Sequence, residues 1–264
     1  MAGSTNEFRE LPCIRLMGMP LHAVAQTQAV QFIVAQAAGG RGGRVITPNL
    51  DQLRLYRRHP ELRAMYEDAG LVLADGMPLV WASRIAKTPL PERVAGSTLL
   101  LTLSEAAAEN GLSIFLLGGN AGAAELAGKE LVRRFPALQM AGTYFPPFGF
   151  EKNDAEVQKI RQAIGAAKPR IVFVGIGFPK QEHLITDLRA AFPEVWFLGI
   201  GISFSFVAGQ VRRAPLWMQK CGLEWLHRLY QEPGRLFSRY ILHDLPFSVR
   251  LMAWAIGKRF GNSG

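Results

Sequence analysis

Three polar groups stand directly behind short apolar runs in this chain. Asp75 closes "LVLAD", Thr47 and Asn49 follow the strand-like "RVI" within "ITPNLDQL", and Lys180, Gln181 and Glu182 follow "IVFVGIGFP". A carboxylate in the position of Asp75 either caps the helix that follows or acts as a general base at the mouth of a sheet. The residues alone leave both readings open. Thr47 and Asn49 are poor activators of a nucleophile, but both can hydrogen-bond a sugar hydroxyl, and they end the preceding strand unit. They can therefore converge with Asp75 on one crevice.

The glycines around the third group raise a related choice. Gly175 and Gly177 let a backbone come close to a ligand, and a helix N-terminus behind them offers N–H groups to an anion. Pro179 suits the first helical position. The stretch reads as a cradle for phosphate or sugar, or as a tight strand-to-helix turn with ordinary caps. Gly118 and Gly119, with Asn120, end another apolar run in the same way. Neither turn carries the full glycine order of a dinucleotide fingerprint. The five histidines are scattered, no Ser-His-Asp grouping occurs, and Cys13 and Cys221 lack zinc-like spacing and fit a reducing compartment.

These groups need a scaffold that brings them to one place. Continuous apolar strands alternate with helical stretches up to about residue 209. That grammar predicts an α/β fold with a mostly parallel sheet covered on both faces, in which ligands sit beyond the carboxyl ends of the strands. After residue 209 no further strand–helix unit follows; the chain reads as helical and rich in Arg, Trp and Leu. The expected division is an α/β core over 1–209 and a basic helical appendage over 210–264.

At 49% hydrophobic and 19% charged, the 264 residues can bury a sizeable core. No apolar run reaches the length of a membrane span and no secretory signal opens the chain, so the expected compartment is the cytoplasm. Net charge is +9. Nine Lys/Arg against three acidic residues place +6 of it in 210–264. A basic end of this kind suits nucleic acid, an anionic membrane or a phosphorylated substrate.

Taken in order, "ITPNLDQL", "LADGMPLVW", "ERVAGSTLL", "FVGIGFPKQE", "GIGISFSFVAG" and "RRAPLWMQKCGLEWLHRLYQEPGRLFSRY" resemble the successive signatures of the WecG/TagA/CpsF glycosyltransferase family, glycosyltransferase family 26. The likeness runs from about residue 14 to 242. It implies a Rossmann-like core with a C-terminal helical appendage. It also implies transfer of a sugar from a UDP-sugar to a polyprenyl-diphosphate-linked saccharide, with inversion, by a peripheral enzyme on the inner face of the cell membrane. The resemblance makes Asp75 the catalytic base and places Thr47, Asn49, Arg93 and Gln181 in the pocket, so that the triplet Lys180, Gln181 and Glu182 reads as the sugar and phosphate side of the site.

The same resemblance brings appendage arginines to the diphosphate. Arg228, Arg235 and Arg239, at spacings of seven and four, lie along one stripe of an unbroken helix, although Pro233 introduces a kink. No Asp-x-Asp pair is present, so no metal or other cofactor is expected; arginines and backbone N–H groups would meet the leaving group's charge. Two departures stand out. Ser205 replaces the usual Asp at a candidate contact to the nucleotide base, and Thr98 stands where Asp is frequent. Both bear on donor preference. The competing readings are a dinucleotide-dependent oxidoreductase, disfavoured by the missing fingerprint, and a nucleic-acid-binding module resting on the Arg/Trp-rich end. No nucleic-acid partner is expected; an oligomer is allowed.

Overall fold

The computed structural model describes residues 11–261. An antiparallel hairpin opens it, β1 (Cys13–Leu16) and β2 (Met19–His22). Six further strands form one sheet: β3 (Gly43–Ile46), β4 (Leu71–Val72), β5 (Ser113–Gly118), β6 (Gln139–Tyr144), β7 (Ile171–Gly175) and β8 (Trp196–Gly199). Their order is β4-β3-β8-β7-β5-β6, and every pairing is parallel. The expected mostly parallel sheet is therefore wholly parallel.

The apolar runs are continuous because both faces are covered. Successive side chains point to opposite faces. Ile171 and Phe173 of β7 face α1 (Gln26–Ala38), α5 (Gly96–Glu109) and α6 (Ala123–Arg134), whereas Val172 and Val174 face α7 (Asp154–Ala167) and α8 (Lys180–Ala191). At the β4 edge, Ile46 and Val72 join a third cluster. It is built with the hairpin, α2 (Leu50–Arg58), α3 (Arg63–Glu67) and α4 (Met77–Ile85).

After the short α9 (Ser203–Val207) the chain turns helical: α10 (Leu216–Lys220), α11 (Glu224–Gln231) and α12 (Pro233–Phe237). A π-helical stretch (Ser238–Asp244) and α13 (Leu245–Gly261) follow. The run from Pro233 to Gly261 is one helix of 29 residues. Phe247, Leu251 and Ala255 of α13 are buried in the third cluster, beside hairpin and α4 residues. Residues 210–261 thus share a core with the α/β part. Among their exposed residues are the apolar Leu216, Tyr230, Leu242, Val249 and Phe260.

The single arginine stripe does not form. Pro233 has no N–H to continue the ladder, and Glu232 breaks the path at φ −132°, ψ 59°. Arg228 therefore ends one helix, while Arg235 and Arg239 belong to the next.

Candidate active site

Parallel strands bring all their carboxyl ends to one edge of the sheet, and the polar groups of interest sit there. Asp75 lies three residues beyond β4. Its N–H donates to the Pro48 carbonyl at 2.8 Å, which ties the β4 and β3 exits together. The cap of α4 is Gly76, with no side-chain cap bond. The Asp75 carboxylate does not cap that helix; the Gly96 N–H at the start of α5 acts on it electrostatically. Burial pushes this carboxyl up to about 6; Glu224 adds to the rise, while Arg93, the Gly96 N–H and Arg213 oppose it.

A Cβ on Gly96 would lie 3.2 Å from Thr47 Oγ1 and 3.3 Å from Ile200 Cα. The missing side chain is what lets α5 approach the β3 and β8 exits so closely. Thr47 Oγ1 donates to the Gly199 carbonyl at 3.4 Å.

Arg93 reaches the appendage. Its Nη1 donates to Glu224 Oε2 at 2.8 Å, while Arg213 Nε donates to Glu224 Oε1 at 3.4 Å. Arg213 Nη2 also donates to Thr98 Oγ1 at 3.2 Å. Thr98, one of the two departures, is thus the anchor of an arginine. Both arginines act on the Asp75 carboxylate electrostatically. Sequence reasoning missed Arg213 and Glu224. The available signal was a lone acidic residue inside the basic run "RRAPLWMQKCGLEWLHR".

Asn49 caps α2 reciprocally with Gln52, each bond 3.2 Å. Its Oδ1 also accepts from Arg239 Nη2 at 3.3 Å, and Arg239 Nε lies 3.1 Å from Asp51. Buried Asp244 completes this patch, 3.7 Å from Arg54 and 3.8 Å from Arg239. Burial, then the neighbouring Asp51, pushes its carboxyl up to about 6 against both arginines. Arg239 is therefore the appendage arginine that reaches a strand-end residue. Arg235 is exposed and pairs with Glu232 at 2.6 Å, and Arg228 acts on the same carboxylate.

The opening of α8 behaves differently from a simple cradle. Pro179 is its N-cap, one residue before the position expected. Gln181 is buried, and its Oε1 accepts from both Gly177 N–H (3.0 Å) and Gly201 N–H (3.3 Å). Lys180 is directed outward, paired with Glu151 and 5.3 Å from the ring centre of Phe148. The space a Cβ would take at Gly175 or Gly119 is filled by Phe204, at 2.7 and 3.0 Å, and at Gly118 by Ile176, at 2.8 Å. Gly177 alone of these faces open space, with φ +96°. Ser205 is buried; its Oγ accepts from Asn120 at 3.3 Å and donates to Gln210 at 3.2 Å.

Among the described residues no group of three or more His, Cys, Asp or Glu side chains is placed to hold a metal ion. The positive groups around Asp75 and Asn49 are Arg93, Arg213 and Arg239.

An open parallel sheet with a half-buried carboxylate and several arginines gathered at its carboxyl end defines an α/β protein with a polar, cationic site at the strand ends. The chain belongs to the glycosyl transferase WecG/TagA/CpsF family, whose profile matches residues 14–261. It is 31% identical over 195 residues to the N-acetylglucosaminyldiphosphoundecaprenol N-acetyl-beta-D-mannosaminyltransferase of Bacillus spizizenii, an alignment covering 74% of each chain. The protein is a glycosyltransferase.

Proposed function

We propose that this enzyme moves a sugar from a UDP-sugar to a polyprenyl-diphosphate-linked acceptor, with inversion, in the synthesis of a bacterial surface polysaccharide. The observation that carries this reading is Asp75, a half-buried carboxylate flanked by Arg93 and Arg213 at the sheet end. In the reaction the Asp75 carboxylate takes the proton of the acceptor hydroxyl as that oxygen bonds to the anomeric carbon. The bond from the anomeric carbon to the diphosphate breaks on the opposite side, and UDP departs with its electron pair. Arg93, Arg213 and Arg239 are the groups available to meet the developing charge. The Bacillus relative's name, with its diphosphoundecaprenol acceptor, supports a lipid-linked acceptor here too. A panel of UDP-sugars offered with a polyprenyl-diphosphate acceptor, scored by UDP release and product mass, tests the assignment; no transfer from any of them would refute it.

Arginines in place of an acidic metal pair give a second expectation. Turnover should survive EDTA at full rate. Loss of activity in EDTA with recovery on adding Mg²⁺ or Mn²⁺ would show that a divalent ion takes part.

We further propose that the enzyme works on the inner leaflet, where a lipid-linked acceptor lies. Among the described residues no helix is long and apolar enough to cross a membrane. The outer side of residues 210–261 offers Leu216 and Trp217, 72% and 61% exposed, together with cations such as Arg250, Lys258 and Arg259. A cation near an anionic leaflet contributes about 1 kcal/mol, weakened by salt, and exposed aromatics add a term that salt does not weaken. Sedimentation with phosphatidylglycerol vesicles should therefore fall, but not vanish, as salt rises. Trp217→Ser should lower the salt-resistant part. Trp254 does not contribute to this surface, because it packs against the third cluster.

A further inference from the structure

Glu182 is fully buried in the first turn of α8, where an acidic residue ordinarily meets solvent and the helix dipole. Its Oε1 accepts from Gln181 Nε2 at 3.1 Å, and its Oε2 has no hydrogen-bond partner in the structure. A positive charge acting on it is that of Arg44, itself 1% exposed and bound to Thr186 and Asp68 at 3.0 Å each. Thr186 Oγ1 in turn donates to the Glu182 carbonyl at 2.9 Å. Room for the pair comes from Gly199, where a Cβ would lie 2.4 Å from Gln181 Nε2 and 2.7 Å from Glu182 Oε1.

An amide has one accepting and one donating end. Gln181 spends the accepting end on two backbone N–H groups, Gly177 after β7 and Gly201 after β8. Its donating end is then buried and needs an acceptor, which Glu182 provides. The β8 exit held in this way is the one that touches the rest of the site. Gly199 accepts from Thr47, Ile200 packs against Gly96, and Pro48, next to Thr47, accepts from the Asp75 N–H at 2.8 Å. The contacts run from Glu182 through Gln181 and the β8 exit to Thr47, and Pro48 beside it holds the Asp75 backbone.

We infer that Glu182 is a positioning residue: acting through Gln181, its carboxylate oxygen fixes the β7 and β8 exits and so the placement of Thr47 and Asp75. The requirement is for an acceptor, not for a charge. Glutamine at 182 can accept the same bond with its own amide oxygen, whereas leucine cannot. This inference rests on the transferase reading for its kinetic arm only.

The test uses Glu182→Gln, Glu182→Leu, Gln181→Leu and the Glu182→Leu/Gln181→Leu double variant of the full chain. Glu182→Gln should keep kcat near that of the unaltered enzyme. Glu182→Leu should lower kcat by up to about 10²-fold, as misplacement of a reacting group does, with donor KM little changed. The double variant should be no worse than Gln181→Leu, since residues acting through one contact are not additive. Amide exchange should quicken in peptides spanning 175–178 and 199–202 in the leucine variant and stay native in Glu182→Gln. Full kcat in Glu182→Leu, a large loss in Glu182→Gln, or additive losses in the double variant would each overturn the inference. Should Glu182→Leu not fold, Gln181→Leu breaks the same contact from the other side, and unchanged exchange at both exits would overturn it equally. Because exchange needs no substrate, it reads the contact even if no UDP-sugar is turned over.

Discussion

Asp75→Asn is expected to lower turnover by roughly 10²–10⁴, with donor binding and thermal melting close to those of the parent enzyme. Asparagine keeps the shape and leaves the Asp75 N–H bond to Pro48 in place, but it cannot take a proton from the acceptor hydroxyl. A pH dependence follows from the same group. Burial holds the Asp75 carboxyl up at about 6, with Glu224 raising it and Arg93 and Arg213 pulling it down. The ionised form is the working base, so kcat/KM for the acceptor should climb as pH rises through about 6 and level off above it. That limb should be absent from whatever activity Asp75→Asn retains. A steady-state pH profile of both proteins checks this; near-full activity in the variant removes Asp75 from the chemistry.

A chain ending at Gly209 is expected to lose activity altogether and most of its stability. Truncation removes Leu236, Phe247 and Leu251, all buried. Each such side chain is worth about 1.5–3 kcal/mol on burial, against a total stability of roughly 5–15 kcal/mol for a domain. It also strips Glu224 from Arg93 and Arg239 from Asn49. Thermal melting followed by circular dichroism, alongside UDP release, separates the two effects. A truncated chain that melts like the parent and still transfers sugar would show that the C-terminal helices are dispensable.

Much of this site was legible because the scaffold announces itself. A wholly parallel sheet needs unbroken apolar strands, and a polar residue directly behind one must lie at the carboxyl end. That argument alone placed Thr47, Asn49 and Asp75 at the strand ends; the role of Asp75 as base came from the family resemblance. Arg213 and Glu224 were not, because the Arg93–Glu224 bond spans 131 residues and depends on how α11 docks. Local spacing carries no such information. The burial of Glu182 was not legible either. An acid in a first helical turn reads as solvated, and only the bare backbone of Gly199, 17 residues on, makes room to bury it. The strand-end glycines suggested ligand contact, but at Gly119 and Gly175 the visitor is Phe204, a neighbour from α9 that no turn motif foretells.

The π-helical stretch between α12 and α13 has an arithmetic of its own. Arg239 and Asp244 both face α2, near Asp51 and Arg54, yet they are five residues apart. At about 100° per residue an α-helix would turn them about 500°, nearly to opposite sides. A π-helix closes its bonds over five residues and brings them back to the same side. The stretch behaves as a one-residue insertion absorbed without breaking the rod. A shorter chain, lacking one residue between Tyr240 and His243, would reach the same two contacts in plain α geometry at a spacing of four. Loss of one residue at this point is therefore neutral to the docking of the C-terminal helix, whereas a gain or loss of one residue inside α13 would swing its buried stripe out of the core.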